Sequence, residues 1–337
     1  MRNRSTTVAP QLDDTPSQPF LPQQWGGLVG RRRFRAMNTD VEIVAVDWRQ
    51  SARLASAERL FHDFEARFSR FRPESELSLL NASAGTEHAI SPQLLQLLDL
   101  AMHYQRETGG VFDPAILPDL EAAGYDRSFE FVARSGDAVP QLEPPAGASI
   151  ADLSIDYKRR LVCAPRNLRI DLGGIGKGAA VDAAAITLAS ARDFLVNAGG
   201  DIFASGNSAD GRGWPVAVSD PEDDDRELDV VSLHDEAIAT STIARRRWQR
   251  GGAWQSHIID PRTRRSVQNN VVSVTVIAPT ATAADVFAKA ALILGVGAGS
   301  RLLEKHDARA LFVLSDGTIH RTARWPGARP AATITRE

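Results

Sequence analysis

Residues 171–185, DLGGIGKGAAVDAAA, constrain the fold of this chain more than any other stretch. Their pattern predicts that a strand ends, glycines turn the chain, and an alanine-rich helix begins. N–H groups at such a helix start are unpaired, and the helix dipole is positive there, so they bind phosphate, with Lys177 adding charge. The glycine spacing excludes a Walker motif, and no Ser or Thr follows Gly-Lys. A tight strand-to-helix connection without any ligand explains the same pattern.

Apolar periodicity predicts a mixed order of strands and helices along the rest of the chain. Strands are expected at residues 41–46, 161–164, 168–172, 193–198, 201–206, 271–277 and 310–314. Helices are expected at residues 52–68, 94–104, 115–123, 179–191 and 281–294, the last ending at Gly295. Residues 134–149 and the acidic residues 219–229 are typical of surface loops. Because strands and helices do not alternate regularly, the order favours an α+β fold over a doubly wound sheet.

Composition excludes several classes of protein. The 39 Lys and Arg residues nearly balance 42 Asp and Glu residues, so no basic excess points to nucleic acid. The single cysteine, Cys163, excludes an internal disulfide and a Cys-rich metal site, and it is expected to be a small buried apolar residue. Residues 1–28 are polar and are expected to form a disordered tail. Without an apolar stretch there, and without an apolar run of membrane-spanning length, we expect a cytoplasmic protein without membrane insertion.

Two further motifs carry polar residues that suit a ligand site. Asn197 and Asp201 flank Gly199-Gly200, which is either a simple hairpin turn or a place where polar groups face a ligand. His257 lies in a predicted strand that Asp260-Pro261 ends; a lone histidine is usually structural and less often catalytic. Both interpretations stay open at each motif.

Two other segments offer hydroxyl and charged groups. Thr240, Ser241 and Thr242 supply three consecutive hydroxyls, although a strand end explains them equally well. Asp285 and Lys289 are four residues apart on one predicted helix face, so they are able to pair, as ordinary surface residues also do. No Ser-His-Asp motif, zinc-ligand spacing or kinase signature occurs in the sequence.

These segments, in this order, resemble the FAD:protein FMN transferase family, also called the ApbE family. The resemblance runs from about residue 33 to residue 317. At residues 34–43 Asn38 stands where the family usually has glycine. The other matching segments are residues 69–81, 108–116, 124–125, 171–178 and 196–201, the ATS at 239–241, residues 257–263, and the Ala-Asp helix that contains Asp285.

The resemblance implies one α+β domain, similar to a T-fold, with two lobes and FAD in the cleft between them. We place this domain at residues 29–322 and a C-terminal tail at residues 323–337. The implied substrate is FAD, and the implied acceptor is a Ser or Thr hydroxyl on a protein with an FMN-binding domain, with AMP released. The implied FAD-contacting residues are Met37, Asn38, Ser78, Asp113, Tyr125, Asp171, Gly173, Gly174, Lys177, Asn197, Gly199, Gly200, Asp201, Ser241, His257 and Ile259.

The resemblance also implies a catalytic set. His257 is the expected base, and Lys177 is an expected cation for the pyrophosphate. Family members hold magnesium with an Asp, here Asp285, with a backbone carbonyl, here that of Gly176, and with a Thr one turn later. That Thr position is Lys289, which has donors only. Either the Lys289 ammonium is itself the pyrophosphate cation, or magnesium binds more weakly.

Two alternatives to transfer stay open at this point. The chain is then either an FAD-binding protein without catalysis, or an FAD pyrophosphatase in which water replaces the acceptor hydroxyl. The chain has no acceptor motif of the type Ser/Thr-Gly-Ala-Thr, so self-modification is not predicted.

Overall fold

The computed structural model describes residues 29–127, 147–223, 225–250 and 253–326. The predicted tail at residues 1–28, most of the predicted loop at 134–149 and residues 327–337 lie outside these ranges. The described strands are β1 Gly30–Ala36, β2 Thr39–Ala45, β3 Glu87–Ala89, β4 Ser154–Asp156, β5 Leu161–Cys163, β6 Phe194–Ala198, β7 Asp201–Ser205, β8 Trp214–Ser219, β9 Glu227–Leu233, β10 Glu236–Thr242, β11 Arg247–Arg250, β12 Ala253–Ser256, β13 Ile259–Asp260, β14 Arg265–Ser266, β15 Val271–Ala278, β16 Arg309–Leu314 and β17 Ile319–Arg321. The described α-helices are α1 Ser51–Phe68, α2 Glu76–Ala82, α3 Pro92–Glu107, α4 Leu117–Ala123, α5 Gly176–Leu188 and α6 Ala281–Lys305.

Eight strands form one central sheet in the order β1-β2-β6-β7-β10-β15-β16-β17. Each neighbouring pair in this sheet is antiparallel. Helices therefore do not connect parallel neighbours, and the predicted α+β class is confirmed. A smaller sheet, β3-β5-β4, lies between α2 and α5 in the sequence.

The central sheet separates two cores because side chains alternate along each strand. In β2, Ile43 packs into the core on the helix side, and Val44 packs into the core on the opposite side. Helices α1, α5 and α6 cover the first face. The β8–β9 hairpin covers the second face, where Trp214 is fully buried. The sheet is thus buried on both faces, which explains its strongly apolar strands.

Helix α6 is apolar around nearly all of its first half, because it lies between the sheet and helix α5. The predicted helix end at Gly295 is confirmed, because the backbone there is non-helical, with φ of 75° and ψ of 174°; a second helical segment follows across this kink and extends α6 to Lys305. By length and composition α6 is able to cross a membrane, but half of its most apolar window is buried inside the protein. Burial in the core accounts for this composition.

The expected strand at residues 168–172 is wrong. The backbone N–H of Ile170 donates to the Asn81 side chain at 2.7 Å, and the Asn81 amide donates back to the Ile170 carbonyl at 2.9 Å. The N–H of Asp171 donates to the Pro114 carbonyl at 2.8 Å. A side chain and a loop carbonyl therefore supply the partners that a neighbouring strand would have supplied.

The described fold also extends past the predicted domain boundary at residue 322. Trp325 is 6% exposed in the second core, and its Nε1 donates to the Asp229 carboxylate at 3.0 Å. The helix expected at residues 179–191 begins earlier, at Gly176, and its α-helical part ends at Leu188. This earlier start brings Lys177 into the first turn of α5.

Candidate functional site

The glycine-rich turn brings the start of helix α5 to the surface of the sheet. Ile175 occupies the N-cap position and has no side chain that accepts from the helix. The N–H of Gly176 donates to the Leu172 carbonyl at 2.7 Å. The first turn of α5 thus starts without a side-chain cap, which leaves its positive end available to an anion.

Three glycines of this turn lie against other parts of the chain. A Cβ on Gly174 would lie 3.6 Å from the Cδ and Cε atoms of Lys289, and one on Gly176 would lie 3.6 Å from the Met37 methyl group. At Gly178 a Cβ would meet the backbone of Thr282, with its Cα at 2.7 Å. The turn therefore joins the β1–β2 turn, helix α5 and helix α6 at one place.

Two ion pairs lie beside the glycine-rich turn, and we call them together the lysine–aspartate cluster. Lys177 of α5 contacts the Asp201 carboxylate of β7, and Lys289 of α6 contacts the Asp285 carboxylate one turn earlier. Both aspartate side chains are 2% exposed, whereas the lysines keep 23% and 16% of their side chains exposed. The cations therefore lie between buried carboxylates and solvent, where a bound anion is able to reach them.

The titration properties of the cluster follow from burial and mutual charge. Burial and the nearby charge of Asp285 raise the pKa of Asp201 to about 6, against the opposing effect of both lysines. Burial alone lowers the pKa of Lys177, but the combined attraction of Asp201 and Asp285 outweighs it and raises that pKa. Because Asp285 acts on both groups, the two ion pairs behave as one electrostatic unit.

His257 lies close to this cluster, in the segment between β12 and β13. Its Nδ1 is 3.5 Å from the Arg246 carbonyl oxygen. Burial lowers the pKa of His257 to about 3, and the positive charges of Arg246 and Lys289 act in the same direction. The imidazole is therefore neutral near pH 7, which is the protonation state that a general base requires.

A second group surrounds the Arg70 guanidinium. Its Nε lies 2.5 Å from Asp171 Oδ2, and its Nη2 donates to the Tyr125 carbonyl at 2.8 Å. The Arg70 guanidinium also lies over the rings of Phe71 and Tyr125, 4.2 and 4.8 Å from their centroids. Asp171 in turn accepts from the N–H of Gly173 at 2.5 Å. This group therefore ties the glycine-rich turn to two aromatic rings.

The hairpin residues lie where two interior strands of the central sheet, β6 and β7, are joined. Gly199 and Gly200 have φ of 64° and 96°, so they form the predicted turn between β6 and β7. Asn197 accepts from the N–H of Gly200 at 2.9 Å. A Cβ on Gly199 would lie 2.0 Å from Thr39 Oγ1, which brings the turn against the start of β2.

Met37 and Asn38 form the neighbouring turn between β1 and β2. Both residues have positive φ, 54° and 56°, and asparagine tolerates this conformation better than most residues. Ser241 lies near the end of β10 and is 5% exposed. These residues thus lie at or near the same end of the strands as the Gly199 turn.

The side chains of three other predicted FAD contacts hydrogen-bond to, or pack against, other residues of the protein. Asp113 accepts from the N–H groups of Ala115 and Ile150 at 2.9 and 3.1 Å, and from the Ser149 hydroxyl at 2.6 Å. Burial raises the pKa of Asp113 in that position. Ser78 hydrogen-bonds to Ser75 at 3.0 Å, and Ile259 packs in a small core with Tyr125 and Trp248. Their roles as FAD contacts stay predictions.

Two arginines belong to the site but were given no role from the sequence. Arg70 holds the second group together, and the charge of Arg246 acts on Lys177, His257 and Tyr125. The available signals were the Ser-Arg-Phe of residues 69–71 and the three consecutive arginines at 245–247. Neither pattern indicates by itself which guanidinium points inward.

Comparisons with known proteins identify the family and the fold. The sequence profile of the ApbE family matches residues 37–312. A Vibrio cholerae protein named FAD:protein FMN transferase is 32% identical over 265 residues, which cover 76% of this chain and 78% of that protein. The crystal structure of the ApbE protein of Thermotoga maritima has a TM-score of 0.76 and 26% identity, over 88% of this chain and 97% of that one. The flavin transferase ApbE of Vibrio cholerae has a TM-score of 0.73 and 26% identity, with the same coverage.

Proposed function

This chain belongs to the ApbE family, and on that premise we propose that it is an FAD:protein FMN transferase. It moves the FMN half of FAD to a Ser or Thr hydroxyl of an acceptor protein and releases AMP. This is the activity that the sequence motifs predict, and the names of the relatives support it. The observation that carries it is the lysine–aspartate cluster, which lies at an uncapped helix start beside a neutral histidine.

The pyrophosphate of FAD carries negative charge that the site must offset. The side chains of Lys177 and Lys289, which carry ammonium groups, remain partly exposed, and the first turn of α5 adds its positive dipole. Such preorganised cations stabilise the charge that develops as a phosphorus–oxygen bond breaks. Binding and activation of the pyrophosphate therefore use the same residues.

In the transfer step, the acceptor hydroxyl oxygen attacks the phosphorus on the riboflavin side of the pyrophosphate. A new oxygen–phosphorus bond forms, the bond from that phosphorus to the bridging oxygen breaks, and AMP leaves with the bridging oxygen. The hydroxyl proton passes to the imidazole of His257. The negative charge of bound FAD raises the pKa of His257 from its low value in the free site, which makes the imidazole a better base.

The residues present do not fit a bound magnesium ion. Magnesium prefers an octahedral set of oxygen ligands, including carboxylates and waters. One oxygen of Asp285 contacts Lys289, and one oxygen of Asp201 contacts Lys177. Within the described ranges, no group of three or more His, Cys, Asp or Glu side chains is placed to hold a metal. We therefore route no step through a metal ion.

The acceptor we propose is a protein with an FMN-binding domain, to which FMN becomes attached through a phosphodiester bond. The chain itself carries no acceptor motif of the type Ser/Thr-Gly-Ala-Thr, so the acceptor is a different protein. The cytoplasmic location and the lack of nucleic-acid partners stay predictions.

The test is turnover of FAD by the purified full chain, with and without an acceptor domain that carries the modified threonine. Covalent FMN on the acceptor, found by mass spectrometry, together with one AMP per FMN, supports the transferase. An acceptor with valine in place of that threonine is the matched control and should stay unmodified. Free FMN and AMP without an acceptor would instead indicate a pyrophosphatase, and bound FAD with neither product would indicate a non-catalytic flavin-binding protein.

A further inference from the structure

Lys289 is held in place from two sides. Its ammonium contacts Asp285 Oδ1, and the same nitrogen lies 3.4 Å from the backbone carbonyl oxygen of Asp285. The aliphatic part of the side chain lies against Gly174, where an added Cβ would be 3.6 Å from Cδ and Cε. The ammonium is therefore a positioned charge at the glycine-rich turn, unlike the end of a mobile surface lysine.

The burial of Asp285 indicates which kind of group must lie beside its carboxylate. Its side chain is 2% exposed, and its Oδ2 is buried with no hydrogen-bond partner among the described residues. A buried carboxylate that lacks a cation is strongly disfavoured, so Asp285 requires a positive charge beside it. Lys289 supplies that charge from within the chain, through its contact with Oδ1.

Charge balance within the cluster argues against a second cation. The charges of Lys177 and Lys289 cancel those of Asp201 and Asp285, and Arg246 adds a further positive charge nearby. A divalent ion would add two positive charges in a partly buried place, where repulsion from ammonium groups is weakly screened. A dianionic pyrophosphate, in contrast, would be attracted by every cation of the site.

We propose that the Lys289 ammonium takes the place of a divalent cation, so that this site binds and splits the FAD pyrophosphate without a metal. An ammonium group has three donors, and two of them are directed at Asp285, one at its carboxylate and one at its backbone carbonyl. The third donor faces the phosphoryl oxygens and stabilises the charge on the leaving AMP. This inference rests on the proposed function for its chemistry, but the metal-free site is testable by itself.

The first measurement is binding of Mn²⁺, a paramagnetic substitute for magnesium, to the full chain with and without FAD. Wild-type protein is expected to bind no Mn²⁺ in the site, and its FAD turnover is expected to be unchanged by EDTA. The Lys289→Thr variant frees Asp285 and adds a hydroxyl ligand, so it should gain Mn²⁺ binding. With EDTA its turnover should fall roughly 100-fold, and magnesium should restore it.

The matched control is Arg67→Thr, which removes the cation of an exposed pair with Asp63 at the same spacing in helix α1. This variant should behave as the wild type in both measurements. A Lys289→Met variant, which has neither charge nor ligand, should turn over slowly with and without magnesium. It should also bind FAD more weakly than the wild type.

A wild-type chain that binds Mn²⁺ in the site and loses turnover in EDTA would overturn the proposal while leaving the transferase intact. If no condition gives turnover, the proposed function fails and the binding data decide the inference alone. Mn²⁺ binding by the wild type then overturns it. Mn²⁺ binding only by Lys289→Thr, with weaker FAD binding by Lys289→Met, supports it.

Discussion

Gly178 in the first turn of α5 faces Thr282 at the start of α6 across a gap too narrow for any side chain. A Cβ at this position would lie 2.7 Å from Thr282 Cα and 2.8 Å from the Ala281 carbonyl oxygen. Asp182, one turn further along α5, accepts from the N–H of Thr282 at 2.9 Å and from its hydroxyl at 2.5 Å. The spacing of the two helix starts, and with it the distance between Lys177 and Lys289, depends on this contact.

Gly178→Ala should therefore destabilise the protein, because backbone atoms cannot move aside as the end of a side chain can. Overpacking of this kind costs about 1–3 kcal/mol of unfolding free energy. The loss is measured by urea unfolding of Gly178→Ala and of a control variant in helix α6, Gly297→Ala. A Cβ on Gly297 meets only the end of Arg301, at 3.9 Å, so that variant should gain up to about 1 kcal/mol from helix propensity. Equal stability of the two variants would contradict the close helix contact.

Trp325 supplies a second prediction, on where the domain ends. Its ring is buried in the core beneath the β8–β9 hairpin, and Nε1 donates to Asp229. Trp325→Ala should lose about 3–5 kcal/mol of unfolding free energy, as truncation of large buried aromatic residues does. Trp254→Ala is the control, since that ring is 56% exposed and its removal should change stability far less. A small loss of unfolding free energy in both variants would instead support the predicted domain boundary at residue 322.

The third prediction concerns the pairing of Lys177 with Asp201. Lys177→Met leaves a buried carboxylate without its cation, which costs about 3–5 kcal/mol of unfolding free energy. The double variant with Asp201→Asn removes both charges and should recover much of that loss. Turnover should fall roughly 100-fold in both variants, since the ammonium is absent from each. A double variant that regains turnover along with stability would assign Lys177 a structural role only.

The pH dependence of that loss has a definite sign. The folded pKa of Asp201 is about 6, above its ordinary value of 3.8, so its contribution to stability is present below pH 3.8 and is lost as the pH rises through 6. Removing Lys177 raises the folded pKa further. The Lys177→Met variant should therefore be closer to wild type at pH 5 than at pH 8. Arg67→Met, at an exposed pair, should cost less than about 1 kcal/mol at both values.

Local patterns predicted the parts of the fold that depend on neighbouring residues. The β6–β7 hairpin followed from Gly199-Gly200 between two apolar runs, and helix α1 followed from its apolar spacing. The expected strand at residues 168–172 was wrong because its hydrogen-bond partner, Asn81, is 89 positions away in the sequence. No periodicity within a short window reports such a contact.

The candidate site likewise contains one contact that the sequence predicted and others that it did not. The i,i+4 pair of Asp285 and Lys289 was readable from one helix, and the structure places its members in contact. The contact of Lys177 with Asp201 joins a helix to a strand, and that of Arg70 with Asp171 joins segments about one hundred residues apart. Motif order indicated that these segments belong to one family, but only the fold brings their charges together.

The last prediction tests the neutral imidazole of His257 in the free site. Its folded pKa of about 3 lies below the ordinary 6.5, so as the pH falls below 6.5 the unfolded chain takes up a proton that the folded chain does not. Each pH unit between 6.5 and 3 therefore costs up to about 1.4 kcal/mol of stability. His257→Gln should lose less stability than the wild type between pH 7 and pH 5, whereas His103→Gln, at an exposed position, should follow the wild type. Saturating FAD should also weaken the pH dependence of wild-type stability, because its negative charge raises the His257 pKa. If the stability of His257→Gln instead changes with pH as the wild type's does, the imidazole is in contact with water in the folded protein.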